Sequence, residues 1–335
     1  MKLKRSIAVL LVLLLSLSVF AGCGKKEEPA TGGETGTETG TETGTETGGA
    51  KETYKIGVAL ADFSDQFQVY LKEGMEKAAA ELGNVEVSYS DAKYDANTQM
   101  NQVENFIAQD MDVIVVMAVD TEAAVPMVQA VVDAGIPVVS VNRKLQNQEI
   151  AHAYVGSDSY VSGVLEMEAV GEAMGGKGNV AILTGAPGHE PAILRTQAVK
   201  DVIAEKFPDM KVVAENTAEW YRDKGMKVTE NWLQSGLEID AIVANNDEMA
   251  LGAIKAAEDA GVRDKLVIAG IDATPEALQY LKEGRLDFTV FQDAAGQGGG
   301  AIEVAAKIAA GEEVDAIYDI PYVLVRPEDV DKYLN

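Results

Sequence analysis

The chain has a single cysteine, Cys23, in 335 residues. It therefore carries neither an internal disulfide nor a C-x-x-C redox or metal site. Its two histidines, His152 and His189, lack metal-ligand spacing, and no H-E-x-x-H or G-x-S-x-G motif occurs. Basic residues are scarce too: 28 Lys and Arg stand against 54 Asp and Glu, a net charge of −26. Such a balance excludes nucleic acid and anionic lipid headgroups as partners, since both would be repelled. The stretch Gly171–Gly178 nearly spells a phosphate-binding loop. It lacks the Ser or Thr after Lys177 that would hold magnesium, and Gly176–Gly178 read better as the C-terminal turn of a helix. Nothing pairs a nucleophile with a base, so the expectation is a protein that is not an enzyme and needs no cofactor and no metal.

One long apolar run is present. Lys2, Lys4 and Arg5 precede an apolar stretch from Ile7 to Phe20, which ends in Ala21 and Gly22 before Cys23. The run is short of the ~20 residues a spanning helix needs, and the layout predicts a secretory signal peptide over residues 1–22. Phe20-Ala21-Gly22-Cys23 resembles the bacterial lipobox, with Phe20 where leucine is usual. That resemblance implies lipidation of Cys23 and attachment to the outer face of the cell membrane, stable because more than one acyl chain is added. From Cys23 to residue 51 there is hardly another apolar side chain, and a Glu-Thr-Gly repeat begins at Glu34. Glycine and like-charged glutamates keep such a segment flexible, a tether reaching roughly 30 Å.

From Tyr54 onward, β-rich apolar runs alternate with amphipathic stretches. Strands are predicted at Tyr54–Leu60, Val85–Ser90, Val113–Met117, Val138–Val141 and Ala153–Val155. A second series follows at Val180–Leu183, Val212–Glu215, Ala241–Ala244, Leu266–Ile271 and Phe288–Phe291. Helices are expected at Gln66–Leu82, Asn97–Gln109, Thr121–Ala134, Glu190–Lys206, Arg222–Gln234, Glu248–Ala260, Pro275–Glu283 and Ala301–Ala310. The glycines at 296 and 298–300 are read as positions where a helix packs closely, and Tyr322–Val325 as a strand joining one of the sheets. Alternating strands and helices mean parallel sheets covered on both faces. Two successive series mean an α/β chain of two doubly wound domains, with more than one crossing between them.

Ligands of open α/β sheets bind beyond the carboxyl ends of the strands, so those positions form the candidate site. They hold Asp62, Asp65 and Phe67, then Asn142 and Arg143, then His189, Trp220, Asn246 with Asp247, Asp272, and finally Gln292 with Asp293. Planar amides, carboxylates, guanidinium groups and aromatic rings suit a polyhydroxylated ring, whose hydroxyls take forked hydrogen bonds while its C–H faces meet aromatic faces. Phe67 and Trp220 are placed to sandwich a flat sugar. Asp120 and Asp247 are assigned mainly to capping helices.

Several stretches together carry a family resemblance: Ile56-Gly-Val, Gly185-Ala-Pro-Gly-His189, Arg195-Thr196, Thr217-Ala-Glu-Trp220, Val243 through Gly252, Gly270 through Ala277, and Ile320-Pro-Tyr-Val323. Over nearly the whole length from Lys55, the chain resembles the sugar-binding type I periplasmic binding proteins of ATP-driven importers, the group with galactose-, ribose- and inositol-binding members. The resemblance implies ligand contacts at Asp65, Phe67, Asn142, Arg143, His189, Arg195, Trp220, Asn246, Asp272 and Gln292. It also implies two lobes, residues 52–156 with 292–319 and 157–291 with 320–335, closing over a monosaccharide or sugar-like polyol. Delivery to an ABC permease and its ATPase by a monomer completes the implied picture; a sensor feeding a chemoreceptor or membrane kinase is the alternative. The calcium loop of the galactose branch is missing around Met174–Val180, and Pro191 replaces an aspartate contact. Glu230-Asn-Trp-Leu-Gln and Phe291-Gln-Asp-Ala look more like the inositol and rhizopine branch. Hexose, pentose and cyclitol all stay open as the ligand.

Overall fold

Val113–Val116 and Ala241–Ala244 are buried at every position, the behaviour of β-branched and small apolar residues in strands covered on both faces. The computed structural model describes residues 53–334, which lie within one compact unit, Gly49–Asn335. The signal peptide, Cys23 and the tether lie outside the described residues.

In chain order the first series is β1 (Tyr54–Leu60), α1 (Gln66–Leu82), β2 (Val85–Asp91), α2 (Ala96–Ala108), β3 (Val113–Val116), α3 (Ala124–Asp133), β4 (Val138–Val141) and β5 (Ala153–Gly156). The second is α4 (Ser159–Ala173), β6 (Lys177–Thr184), α5 (Glu190–Lys206), β7 (Asp209–Thr217), α6 (Arg222–Gln234), β8 (Ala241–Ala244), α7 (Asp247–Asp259), β9 (Val267–Asp272), α8 (Pro275–Lys282) and β10 (Phe288–Phe291). Then come α9 (Ala294–Ala309), β11 (Ile317–Asp319) and β12 (Val323–Val325). One sheet has the order β11-β5-β4-β3-β1-β2 and the other β12-β10-β9-β8-β6-β7. All pairings are parallel except that of β10 with β12. Each sheet carries an apolar cluster on each face: α1 and α9 opposite α2 and α3 in the first lobe, α4 and α5 opposite α6 to α8 in the second. The two doubly wound domains expected from the alternation are present.

Three crossings join the lobes, after β5, after β10 and after β11. They are tied together by buried polar side chains. Gln297 donates to the Ser157 hydroxyl (2.8 Å), and Asn142 donates to Gln297 (3.0 Å). The Ser157 hydroxyl in turn donates to the Ile320 carbonyl. Because Asn142 also lines the cavity described below, the hinge and the site share a hydrogen-bond chain.

Four local expectations need correction. Helix α9 begins at Ala294, not Ala301, with Asp293 capping it by accepting from the Gly296 amide at 2.8 Å. Of its glycines, Gly298 serves close packing, since a Cβ there would sit 2.0 Å from the Leu71 carbonyl oxygen of α1, and one on Gly74 of α1 would sit 2.3 Å from that of Ala295; a Cβ on Gly299 would meet only ordinary contacts at 3.5 Å. Tertiary contact outweighs the roughly 1 kcal/mol by which each glycine disfavours a helix. Helix α4 is absent from the predicted spans because its buried face carries Ser159, Ser162, Gly163 and Glu166 while Val161 is exposed on the other side, so no apolar stripe marks it. It closes at Gly175 and Gly176, both left-handed, while Gly178 already belongs to β6. The short edge strand β11, exposed at two of its three positions, carries no apolar signal to read.

Candidate functional site

The loops at the carboxyl ends of the strands converge on a small cavity between the lobes, about 310 Å³ of non-atom space counting the part open to solvent. Its lining includes nine of the ten residues marked from the sequence: Asp65, Phe67, Asn142, Arg143, Arg195, Trp220, Asn246, Asp272 and Gln292. Met117 and Pro191 complete it.

On the first-lobe side, Asp65 precedes α1 in extended conformation and caps it, its Oδ1 accepting from the Phe67 amide at 2.9 Å. Its Oδ2 accepts from the Tyr94 hydroxyl and from Gln68 Nε2. The cap therefore orients a carboxylate at the cavity wall as well as starting the helix. Arg143, 2 % exposed, donates from Nη1 to the Ala118 carbonyl at 2.7 Å, and its buried Nε–H has no protein partner. Asn142 beside it is left-handed, φ 63°, a conformation that asparagine tolerates better than most residues.

On the second-lobe side, Arg195 is 3 % exposed and donates to the Asn245 carbonyl, to Gln292 Oε1 (2.8 Å) and to the Tyr322 hydroxyl (2.9 Å). Its Nη1 is 3.9 Å from Asp272 Oδ1, and its Nε–H likewise has no protein partner. Burial raises the Asp272 pKa well above the usual carboxylate range, and the Arg195 guanidinium opposes that rise. Asp272 has φ 128° and Ala273 φ 53°. Backbone held in such regions costs ~1–3 kcal/mol per residue and collects at functional sites.

Trp220 is also left-handed, φ 75°. Its indole Nε1 donates to His189 Nδ1 at 2.8 Å, with the two rings stacked 6.0 Å apart at 21°. His189 itself does not line the cavity; it stands behind Trp220 and aims the indole. Burial, helped by the neighbouring Arg143 charge, pushes the His189 pKa down to about 2. The ring is neutral, and accepting at Nδ1 assigns its proton to Nε2. Asn246 caps α7 and donates to the Trp220 carbonyl.

Asp247 is not the cap. Fully buried, it accepts from the Thr274 amide (2.8 Å) and the Thr289 hydroxyl (2.7 Å), tying β9, α8 and β10 together. Burial moves its pKa up to about 6. Asp120 does accept from the Glu122 and Ala123 amides ahead of α3. Asp62, marked at the first strand end, accepts instead from the Tyr221 hydroxyl across the cleft at 2.9 Å.

Sequence reasoning missed the supports: Tyr94, Asn245, Gln297 and Tyr322. Tyr322 is 127 positions from the arginine it meets, and no local pattern marks such a partner. Among the described residues no three His, Cys, Asp or Glu side chains are grouped to hold a metal ion. No described helix is long and apolar enough to cross a membrane.

A small polar cavity with two aromatic walls, enclosed between two hinged doubly wound lobes, defines a two-lobed solute-binding protein. The chain belongs to the periplasmic binding protein family, whose domain model matches residues 56–313. It is 42 % identical over 275 residues to a putative rhizopine-binding protein of Rhizobium meliloti, covering 81 % of this chain and 89 % of the relative. The solved structure of an ABC transporter solute-binding protein from Bacillus halodurans with bound myo-inositol is 48 % identical. That likeness has a TM-score of 0.83 over 86 % of this chain and 99 % of the other. A ribose import binding protein of Bacillus subtilis is 33 % identical, covering 82 % of this chain and 88 % of that protein. The chain accordingly belongs to a family of solute-binding proteins of ABC transporters, among them sugar- and polyol-binding members rather than enzymes, and the family implies an extracytoplasmic location.

Proposed function

We propose that this protein captures a single monosaccharide-sized polyol, an inositol-type cyclitol before a hexose or pentose, and hands it to an ABC permease from a lipid anchor at Cys23. The observation that carries the ligand reading is the cavity's make-up, in which two arginines and two aspartates share about 310 Å³ with three amides and two aromatic rings. Each hydroxyl of a cyclitol both donates and accepts, so the carboxylates and guanidinium groups are matched at once. Each good hydrogen bond to a charged group contributes ~1.5–3 kcal/mol. The relative with bound myo-inositol supports the cyclitol over the hexose or pentose alternatives.

The ligand contacts in this reading are Asp65, Phe67, Asn142, Arg143, Arg195, Trp220, Asn246, Asp272 and Gln292, with His189 acting through Trp220. A thermal-shift and calorimetry screen of the purified protein against cyclitols, hexoses, pentoses and pentitols tests it. A ligand at 100 times its Kd adds ~2.7 kcal/mol of stability, and myo-inositol should give the largest shift. A response to amino acids or peptides only would sink the carbohydrate assignment. Labelling with a fatty-acid analogue should mark the wild type and fail with Cys23→Ala; equal labelling would remove the anchor. Loss of uptake of the identified ligand on deletion supports delivery to a permease. A deletion that abolishes only taxis or signalling would favour the sensor.

A further inference from the structure

The cavity does not end the cleft. Outside it lies a second hollow of about 880 Å³, whose lining includes Tyr94, Asp120, His189, Glu219, Tyr221 and Lys224. The two linings share no residue: Asp65, Arg143 and Trp220 face the inner space, and Tyr94 and His189 face the outer one. Two rings from opposite lobes therefore stand between the two spaces, Tyr94 from the loop after β2 and His189 from the loop before α5. Their centroids are 5.3 Å apart, and the Tyr221 ring meets Tyr94 edge-on at 6.3 Å.

Tyr94 also grips the inner wall. Its hydroxyl donates to Asp65 Oδ2 and accepts from Gln68 Nε2 at 3.2 Å. The Arg143 guanidinium carbon lies 5.9 Å from its ring centroid, within cation–π range. Burial, then the Asp65 charge, raises the phenol pKa, so the group stays a donor. The residue is itself held in a left-handed conformation, φ 54°, by a hydrogen bond from its amide to the Ala61 carbonyl at 2.8 Å. A bulky residue in that region is strained, and here the strained conformation carries the ring to the cleft.

We propose that Tyr94 is a positioning and specificity residue: it sets Asp65 and Arg143 and, with His189, seals the cavity so that a ring bearing no outward substituent is preferred. This rests on the reading that the ligand is a polyol held in the inner cavity. A substituent pointing outward past Asp65 and Trp220 has to displace these two packed rings to reach the outer hollow. Shortening Tyr94 joins the two spaces.

The test compares Tyr94→Phe and Tyr94→Ala with wild type by calorimetry. The probes are myo-inositol against its mono-O-methyl ethers, and hexoses against their methyl glycosides. Wild type should disfavour the methylated member of each pair it binds at the sealed position by tenfold or more. Tyr94→Phe keeps the ring and loses the hydrogen bond to Asp65, so both members should weaken about tenfold with their ratio unchanged. Tyr94→Ala should weaken the parent further and shrink the ratio at least tenfold for at least one positional isomer. A ratio unchanged in a Tyr94→Ala protein that melts cooperatively overturns the seal; full affinity in Tyr94→Phe overturns the positioning role. If wild type binds none of these probes, the polyol reading fails. The seal is then decided by acrylamide quenching of Trp220 in a Trp232→Phe background. Quenching should be severalfold faster in Tyr94→Ala, also where that variant binds no ligand, and equal quenching overturns the seal.

Discussion

On the second-lobe side of the cavity, Arg195 is held by hydrogen bonds to Asn245, Gln292 and Tyr322 and stands 3.9 Å from Asp272. On the first-lobe side, Arg143 has one short bond, to the Ala118 carbonyl, and a longer one of 3.5 Å to Val119. Both guanidinium groups are buried, and both are aimed by chain far from them in sequence. They differ in how completely the protein has spent their hydrogen-bonding capacity. The second lobe presents a half-site braced from α5, β8, the β10–α9 crossing and the residue before β12, while the first lobe presents donors still open to a ligand. Bracing lowers the ordering cost of binding, so the second lobe is the natural platform and the first lobe the part that closes on it.

That asymmetry can be broken experimentally. Arg195→Met should have the largest effect, a loss of ligand affinity of about 100-fold or more, corresponding to ~2.7 kcal/mol. It should also lower the melting temperature, because Asp272 loses its countercharge and Gln292 and Tyr322 lose their donor. Calorimetry and thermal melting check both, and an affinity loss without destabilisation would mean that the brace is dispensable. Trp220→Ala should weaken binding tenfold or more while the fold persists. An unchanged Kd would make this ring purely structural. Arg143→Met should cost about tenfold in affinity with little change in melting temperature. If it destabilises as much as Arg195→Met, the two walls are equivalent and the comparison fails.

The last prediction concerns pH and stability rather than affinity. The His189 pKa is pushed down to about 2 in the folded state, against ~6.5 for a free histidine. Between those values the unfolded chain binds a proton that the folded ring refuses, so stability falls as pH drops from about 6.5. His189→Asn keeps an acceptor near the Trp220 indole and removes the titration. Its denaturation midpoint should decline less steeply than that of wild type between pH 6.5 and 4, and parallel declines would place the acid sensitivity elsewhere.

Much of this site was legible before folding because of where its residues stand. In doubly wound sheets the residue after a strand faces the cleft, so Asp65, Asn142, Arg143, Asn246, Asp272 and Gln292 could be marked by counting from apolar runs. Trp220 was marked in the same way, and Arg195 came from a stretch that resembles a family. His189 was marked by the same logic and landed one layer back, because Trp220 occupies the nearer position and uses the imidazole as its acceptor. Asp247 illustrates the opposite failure. A carboxylate after a strand looks like a cap, yet Asn246 one position earlier takes that role and turns Asp247 into the interior.

The sequence by itself determined the alternation of strands and helices, the two-lobed class and the chemical character of the cavity, since each is written in local spacing. Tertiary structure alone decided which groups brace Arg195, that the glycine run of α9 lies against α1, and that Tyr94 reaches Asp65, Arg143 and His189 at once. Those contacts join residues tens to over a hundred positions apart. Their energy comes from burial and geometry that exist only after both sheets have assembled, so no window along the chain contains them.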